Sequence, residues 1–206
     1  MRFNLYNNIS SFYTDVYPIL VLHEAQNTLP LGNLIIGMSE DKHDWRNPAN
    51  WLMATVTDDR GGVLLTAIMT PPHRITFYAT DNKYNEKLLE CLIDGILGTG
   101  FIIPGIVNAN PLALNFAEIF CAKKGINYLI SKNLRLYELT EVNSDISMLG
   151  VLRPAKESDM AFVPYWEDSF CHDCSMASAA NTMQSEEYYR HSIGNKPIFW
   201  RQTALP

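Results

Sequence analysis

Apolar positions organise the middle of the chain into strand, turn, strand and helix. Val63–Met69 is an almost unbroken apolar run, the pattern of a strand buried on both faces. Pro71-Pro72 cannot continue a ladder, because proline has no N–H and fixes its own φ, so the chain must turn there. Ile75–Ala79 then reads as a second strand. Leu88/Leu89, Leu92/Ile93 and Ile96/Leu97 recur every three to four residues and predict a helix with one face on a sheet. A helix that starts just after a central strand aims free N–H groups and the positive end of its dipole at the strand's carboxyl end. An anionic ligand would be sought there first.

The flanking segments carry the same two periods. Ser10-Ser11 can cap a helix with Phe12, Val16, Ile19 and Leu20 along one side, which Pro18 kinks or splits. A second helix is expected over about Leu29–Met38, capped by Asn27-Thr28, followed by a polar loop, Asp41–Asn50. Trp51–Thr57 alternates as a strand and leads into Asp58-Asp59-Arg60-Gly61-Gly62, a hairpin turn. Gly98-Thr99-Gly100 stops the central helix, and Phe101–Asn108 is expected to form another buried strand. Pro111 opens a helix to Lys124, apolar at Leu112, Phe116, Ile119 and Phe120 and ended by Gly125. Ile126–Val142 is expected to hold one or two strands.

After Asn143-Ser144-Asp145, which reads as a linker, the pattern restarts. Leu149–Arg153 is a short strand, and a helix starting at Ser158 or Asp159 carries Phe162, Val163, Trp166 and Phe170. A further helix covers about Ser185–Ser192, and Pro197–Trp200 is a last strand. The division is therefore residues 1–142, a linker at 143–148, and 149–206. A tail of about 60 residues is at the lower edge of what buries a core unaided. It is expected to pack on the first region or on another copy of the chain, because strand Ile198–Trp200 would otherwise be an unpaired edge.

Bulk numbers narrow the class of protein. The chain has 206 residues, 47% of them hydrophobic, and a formal charge of −6. Without a Lys/Arg cluster it lacks the basic patch that nucleic acid requires. No apolar run approaches the roughly 18–20 residues that span a bilayer, and MRFNLYNN has no apolar core of a signal peptide. Nothing in the placement of Cys91, Cys121, Cys171 and Cys174 suggests a secreted disulfide framework. These features together read as a cytoplasmic protein with no membrane and no nucleic-acid partner.

The order helix, helix, three antiparallel-type strands, helix, strand, helix, strand over residues 10–142 resembles the acetyl-CoA-dependent N-acetyltransferase (GNAT) fold. LGVLRPAKESDMAFVPYWEDSF also resembles the first strand and helix of such a domain, where an Arg-x-Ala opening is followed by an Asp; the matches here are Arg153, Ala155 and Asp159. The resemblance implies an α/β (α+β) class: a mixed, mostly antiparallel central sheet flanked by helices, plus the opening part of a second lobe. It further implies acetyl-CoA as cofactor and acetyl transfer to a small-molecule or peptide amine, with a non-catalytic binding or assembly lobe as the alternative. Association as a homodimer is a further expectation.

Two departures from the family pattern stand out. The family's cofactor loop carries Arg/Gln-x-x-Gly-x-Gly/Ala, whose glycines let backbone N–H groups close round a diphosphate. Here that stretch is Ala79-Thr80-Asp81-Asn82-Lys83, with no glycine and with a carboxylate that suits a helix cap better than a phosphate. The family often places a Tyr acid four residues before the glycine ending the last helix, and here that position is Cys121. No catalytic residue is therefore assigned. Thr70, His73, Asn108 and Asn110 form the candidate ligand pocket, because the fold implied by the resemblance puts them near the ends of neighbouring strands. The bland alternative is that Thr70 and His73 shape the Pro-Pro turn while Asn108 and Asn110 cap the Pro111 helix.

Other motifs carry less. Cys171-His-Asp-Cys174 could hold one edge of a zinc site or cycle as a dithiol, but zinc needs two more ligands and a redox pair starts a helix rather than ending one. No metal site is assigned. His23-Glu24-Ala-Gln-Asn27 opens like a zinc-protease motif but has Asn where the second His must stand. Gly95, Gly98 and Gly100 follow a helix and precede a strand, the wrong order for a dinucleotide cradle. Trp45, Trp51, Trp166 and Trp200 read as core or interface residues.

Overall fold

A computed structural model describes residues 1–39, 47–80, 84–143, 151–154, 156–174 and 199–202. The fold is mixed α+β. It divides into two compact units, Met1–Leu139 and Thr140–Pro206.

In the first unit the elements are β1 (Arg2–Tyr6), α1 (Ile9–Leu20), α2 (Thr28–Met38), β2 (Leu52–Thr57), β3 (Val63–Met69), β4 (Thr76–Ala79), α3 (Glu86–Leu97) and α4 (Leu112–Lys124). The four strands form one antiparallel sheet in the order β1-β2-β3-β4. Strand alternation sends side chains to two layers of helix. Met53, Ile68 and Tyr78 pack with Trp51 on Phe12, Val16 and Leu20 of α1 and Leu31 and Leu34 of α2. Leu52, Ala54, Val56, Leu65, Ala67 and Phe77 pack on the apolar stripe of α3 and on Phe116 and Phe120 of α4. Each such leucine or isoleucine contributes roughly 1.5–3 kcal/mol when fully buried, so α3, with five buried residues on one face, is held chiefly by the sheet.

Strand β1 is absent from the sequence-based expectation. RFNLY is short and half polar, and it becomes a strand because β2 offers an edge. Arg2 pairs with Thr57 and Tyr6 with Met53. The Asn4 amide donates to Thr57 Oγ1 (3.1 Å) and Thr55 Oγ1 (3.3 Å), and the Tyr6 hydroxyl donates to Asp15 (2.7 Å). Phe3 lies against Gly95 of α3, where an added Cβ would sit 2.1 Å from the ring.

Helix ends also differ from expectation. Asn8, not Ser10 or Ser11, caps α1; its side-chain oxygen accepts from the backbone N–H of both serines. Pro18 does not split α1, which runs to Leu20 and tightens into a 3-10 turn over Val21–His23. Asn27 stands before α2 but is buried, and its amide donates to Leu20 O (3.0 Å), joining the end of α1 to the start of α2. The hairpin turn after β2 is as expected. The Asp58 carboxylate accepts from Arg60 N and Gly62 N, and Gly61 takes the positive φ the turn needs.

Two expected strands of this unit are not formed. Among the described residues, 101–108 make only one parallel bridge, Ile75 to Ile106, because the next rung is interrupted by the Asn108 side chain. Residues 126–142, the last three of which belong to the second unit, join no strand among the described residues, and their side chains are exposed.

In the second unit β5 (Val151–Pro154) pairs antiparallel with β6 (Phe199–Gln202), so the last strand has its partner within its own unit. The helix expected from Ser158 or Asp159 begins instead as a 3-10 turn over Glu157–Ala161. There the buried Asp159 carboxylate accepts from Lys156 N (2.7 Å). The α-helix proper, α5, covers Val163–Asp173, with Pro164 near its start where no N–H is missed. The expected helix at 185–192 lies outside the described residues, as do Trp45, Asp81–Lys83 and most of the polar loop before β2. Among the described residues no helix is long and apolar enough to cross a membrane.

The contact between Phe3 and Gly95 gives a direct check on the unexpected strand. Gly95→Ala should destabilise the protein by about 1–3 kcal/mol through overpacking. Combined with Phe3→Ala it should cost less than the sum of the two, because the clash partner is gone. Urea unfolding of the two single variants and the double variant measures this; strict additivity would place β1 elsewhere.

Candidate functional site

The site begins with a fault in a β-ladder. Ile75 N donates to Gly105 O (3.0 Å) and Val107 N donates to Ile75 O (2.9 Å), so β4 starts to pair in parallel with residues 105–107. In a continued ladder Phe77 N would next donate to Val107 O, and Ala109 N to Phe77 O. The Asn108 side chain stands in that gap instead. Its amide donates to Phe77 O (2.6 Å), and its oxygen accepts from Ala109 N (2.9 Å). One carboxamide thus satisfies both groups while holding the two segments a side chain apart.

Beyond this wedge the backbones part. The pleat turns the N–H groups of Phe77 and Ala79 to the same side as that of Ile75, away from β3. No acceptor for either lies among the described residues. A cleft of 240 Å³ opens there. It is lined by Phe77, Tyr78 and Ala79 of β4, by residues 108–112, and by Tyr84 and Gln26. No charged side chain among the described residues lines it. The Asn115 amide donates to the Tyr84 hydroxyl (3.3 Å), which leaves the phenolic proton available to a further acceptor. A narrow, largely apolar slot with a few amides and unpaired strand N–H groups suits an uncharged, extended ligand that carries its own amides or a carbonyl.

The start of α3 differs from an anion cradle. Asn85 caps the helix, its side-chain oxygen accepting from Leu88 N (2.9 Å), and Glu86 places a carboxylate in the first turn. A second hollow beside this end, between α3 and α4, is lined by Glu86 and Glu118 together with Asn115. Both carboxylates oppose a phosphate there, and the helix dipole is already met by Glu86. Asp81, expected as the cap, lies outside the described residues.

The four candidate residues divide into two pairs. Asn108 and Asn110 line the cleft, and neither caps α4, whose first turn has no side-chain cap. Thr70 and His73 stay in the turn at the amino end of β4, where His73 N donates to Thr70 O (2.9 Å); neither lines the cleft. Thr70 is buried and His73 exposed. Sequence reasoning missed Gln26, Tyr78 and Tyr84. Tyr84 is the one with a legible signal, as an aromatic residue between a strand's end and the next helix cap. Cys121, at the position of the family's acid, does not line the cleft.

The thiols have separate surroundings. Cys91 sits on α3 beside the core, and burial pushes its thiol up, with Asp94 adding to the shift. Cys171 and Cys174 lie at the end of α5, Cys174 exposed. No group of three or more His, Cys, Asp or Glu side chains able to hold a metal occurs among the described residues. No protein-family model, curated protein or solved structure matches this chain.

Two measurements check the geometry. Asn108→Ala leaves Phe77 O and Ala109 N without partners and should cost about 1–3 kcal/mol in chemical denaturation. At mildly alkaline pH iodoacetamide should modify Cys174 before Cys91, since a raised thiol pKa lowers the thiolate fraction and burial limits access. Peptide mass mapping over time would read the order.

Proposed function

We propose that the first unit is an N-acetyltransferase-type lobe of the GNAT kind, whose cleft takes the thioester arm of acetyl-CoA and presents the acetyl group to an amine. The observation that carries this reading is the ladder opened by Asn108. It leaves the Phe77 and Ala79 N–H groups facing an apolar slot of a pantetheine arm's character. A peptide-like arm can complete the interrupted ladder by donating to and accepting from β4 as an added strand would. A strand N–H aimed at the thioester oxygen would stabilise the negative charge that develops there.

In this scheme a neutral amine attacks the thioester carbonyl carbon. The N–C bond forms as the C–S bond breaks, the sulfur leaves as thiolate, and the new ammonium gives up a proton to solvent. Tyr84, one of two tyrosines lining the cleft, is assigned to give its phenolic proton to the leaving sulfur, and its phenolate then regains a proton from solvent. Phosphate recognition is not part of the scheme, because the start of α3 is capped by Asn85 and faced by Glu86 and Glu118.

That acidic surrounding favours a second reading for the same cleft, a binding lobe that holds an acyl arm or peptide without turnover. The two readings differ in one observable, acetyl-dependent release of free thiol in the presence of amines. Both require the cleft to bind the arm rather than the nucleotide. Acetyl-CoA and acetyl-pantetheine should therefore raise the melting temperature to similar extents, and adenosine 3′,5′-bisphosphate should leave it unchanged. A shift with the nucleotide alone, or with neither thioester, would contradict the assignment. Where thiol release is seen, Tyr84→Phe should lower its rate by about a hundredfold while the thermal shift persists.

A further inference from the structure

The cleft draws its lining from both helix layers. Phe77, Tyr84 and Leu112 belong to the core beneath α3 and α4, whereas Tyr78 belongs to the core beneath α1 and α2. Gln26, between those two helices, lines it as well. The slot therefore has an α3/α4 side, where Tyr84 meets Asn115, and an α1/α2 side.

On the second side stands a titratable group that the scheme above does not use. The His23 ring lies beside that of Tyr78, with centroids 6.0 Å apart, and is exposed to solvent. Its turn is held in place: Asn27 N donates to His23 O (3.0 Å), and the Asn27 side chain donates to the end of α1. His23 and the cleft-lining Gln26 are three residues apart in that turn. A carboxamide does not titrate and a phenol keeps its proton at neutral pH, whereas imidazole exchanges one there. The other titratable groups around it are few. Helix α2 has none, Glu24 is exposed beside His23, and Asp15 of α1 accepts from the Tyr6 hydroxyl.

We propose that His23 is the proton acceptor for the incoming amine, so that an alkylammonium ion, and not only an amine already neutral, serves as acceptor. The ammonium N–H proton passes to an imidazole nitrogen, and the lone pair so released forms the N–C bond. The imidazolium returns the proton to water, which its exposure permits. The proton lost after the N–C bond forms goes to solvent, as above. This inference rests on the acetyltransferase reading.

Thiol release from acetyl-CoA tests it, with butylamine, 2-phenylethylamine and an unblocked tripeptide as acceptors in separate assays of the full chain. At neutral pH His23→Ala should lower kcat/KM by about a hundredfold. Its rate should rise with pH only in a more alkaline range, towards the acceptor's own titration, and added free imidazole should restore much of the loss. Glu24→Gln should stay near the native rate. Acetyl-pantetheine should raise the melting temperature of His23→Ala as it does that of the native chain, which separates loss of a base from loss of the fold. A native rate and pH profile in His23→Ala would overturn this inference alone. So would a loss that imidazole does not restore, or one accompanied by a lost thermal shift. A native chain that releases no thiol with any of the three amines would overturn the acetyltransferase reading and this inference with it.

Discussion

The first unit turns on the single carboxamide that occupies the place of a missing rung between β4 and residues 105–109. A ladder that closed there would extend the sheet and leave no cleft. A ladder that opened without Asn108 would strand Phe77 O and Ala109 N, each at a cost comparable to a lost hydrogen bond. The side chain resolves the conflict by meeting both groups at a wider spacing. What finds no partner among the described residues is the donor side of β4, the N–H groups of Phe77 and Ala79, and donors at a strand's edge are a means of binding an extended ligand.

The layers on either side keep that edge in place. Tyr78 is anchored among α1 and α2, Phe77 against Phe116 of α4 with ring centroids 4.9 Å apart, and Ala79 over α3. With side chains on both faces buried, β4 cannot slide to close the gap without exposing one face's apolar set to the other. Buried packing thus holds the strand rigid where its backbone is left open.

Much of this was legible in the sequence, and the misses share a physical origin. Strand β3 and helix α3 were readable because long apolar patterns depend little on context. Strand β1 was not, because five half-polar residues become a strand only when β2 supplies an edge and Gly95 makes room for Phe3. Residues 101–108 and 126–142 have the composition of strands, but composition does not supply partners. The first is cut short by Asn108, and the second finds no rung among the described residues. The fold implied by the family resemblance puts Asn108 and Asn110 near strand ends, whereas the wedge itself depends on a side chain reaching across to Phe77. Thr70 and His73 lie too early in the chain relative to β4 to reach its open end.

Amide hydrogen exchange along β4 tests the central claim most directly. The account predicts that the Phe77 and Ala79 amides exchange markedly faster than those of Thr76 and Tyr78, which bond to β3, and that acetyl-pantetheine slows the fast pair selectively. Uniform protection along β4 in the free protein would mean that the ladder is closed and that no cleft of this kind exists.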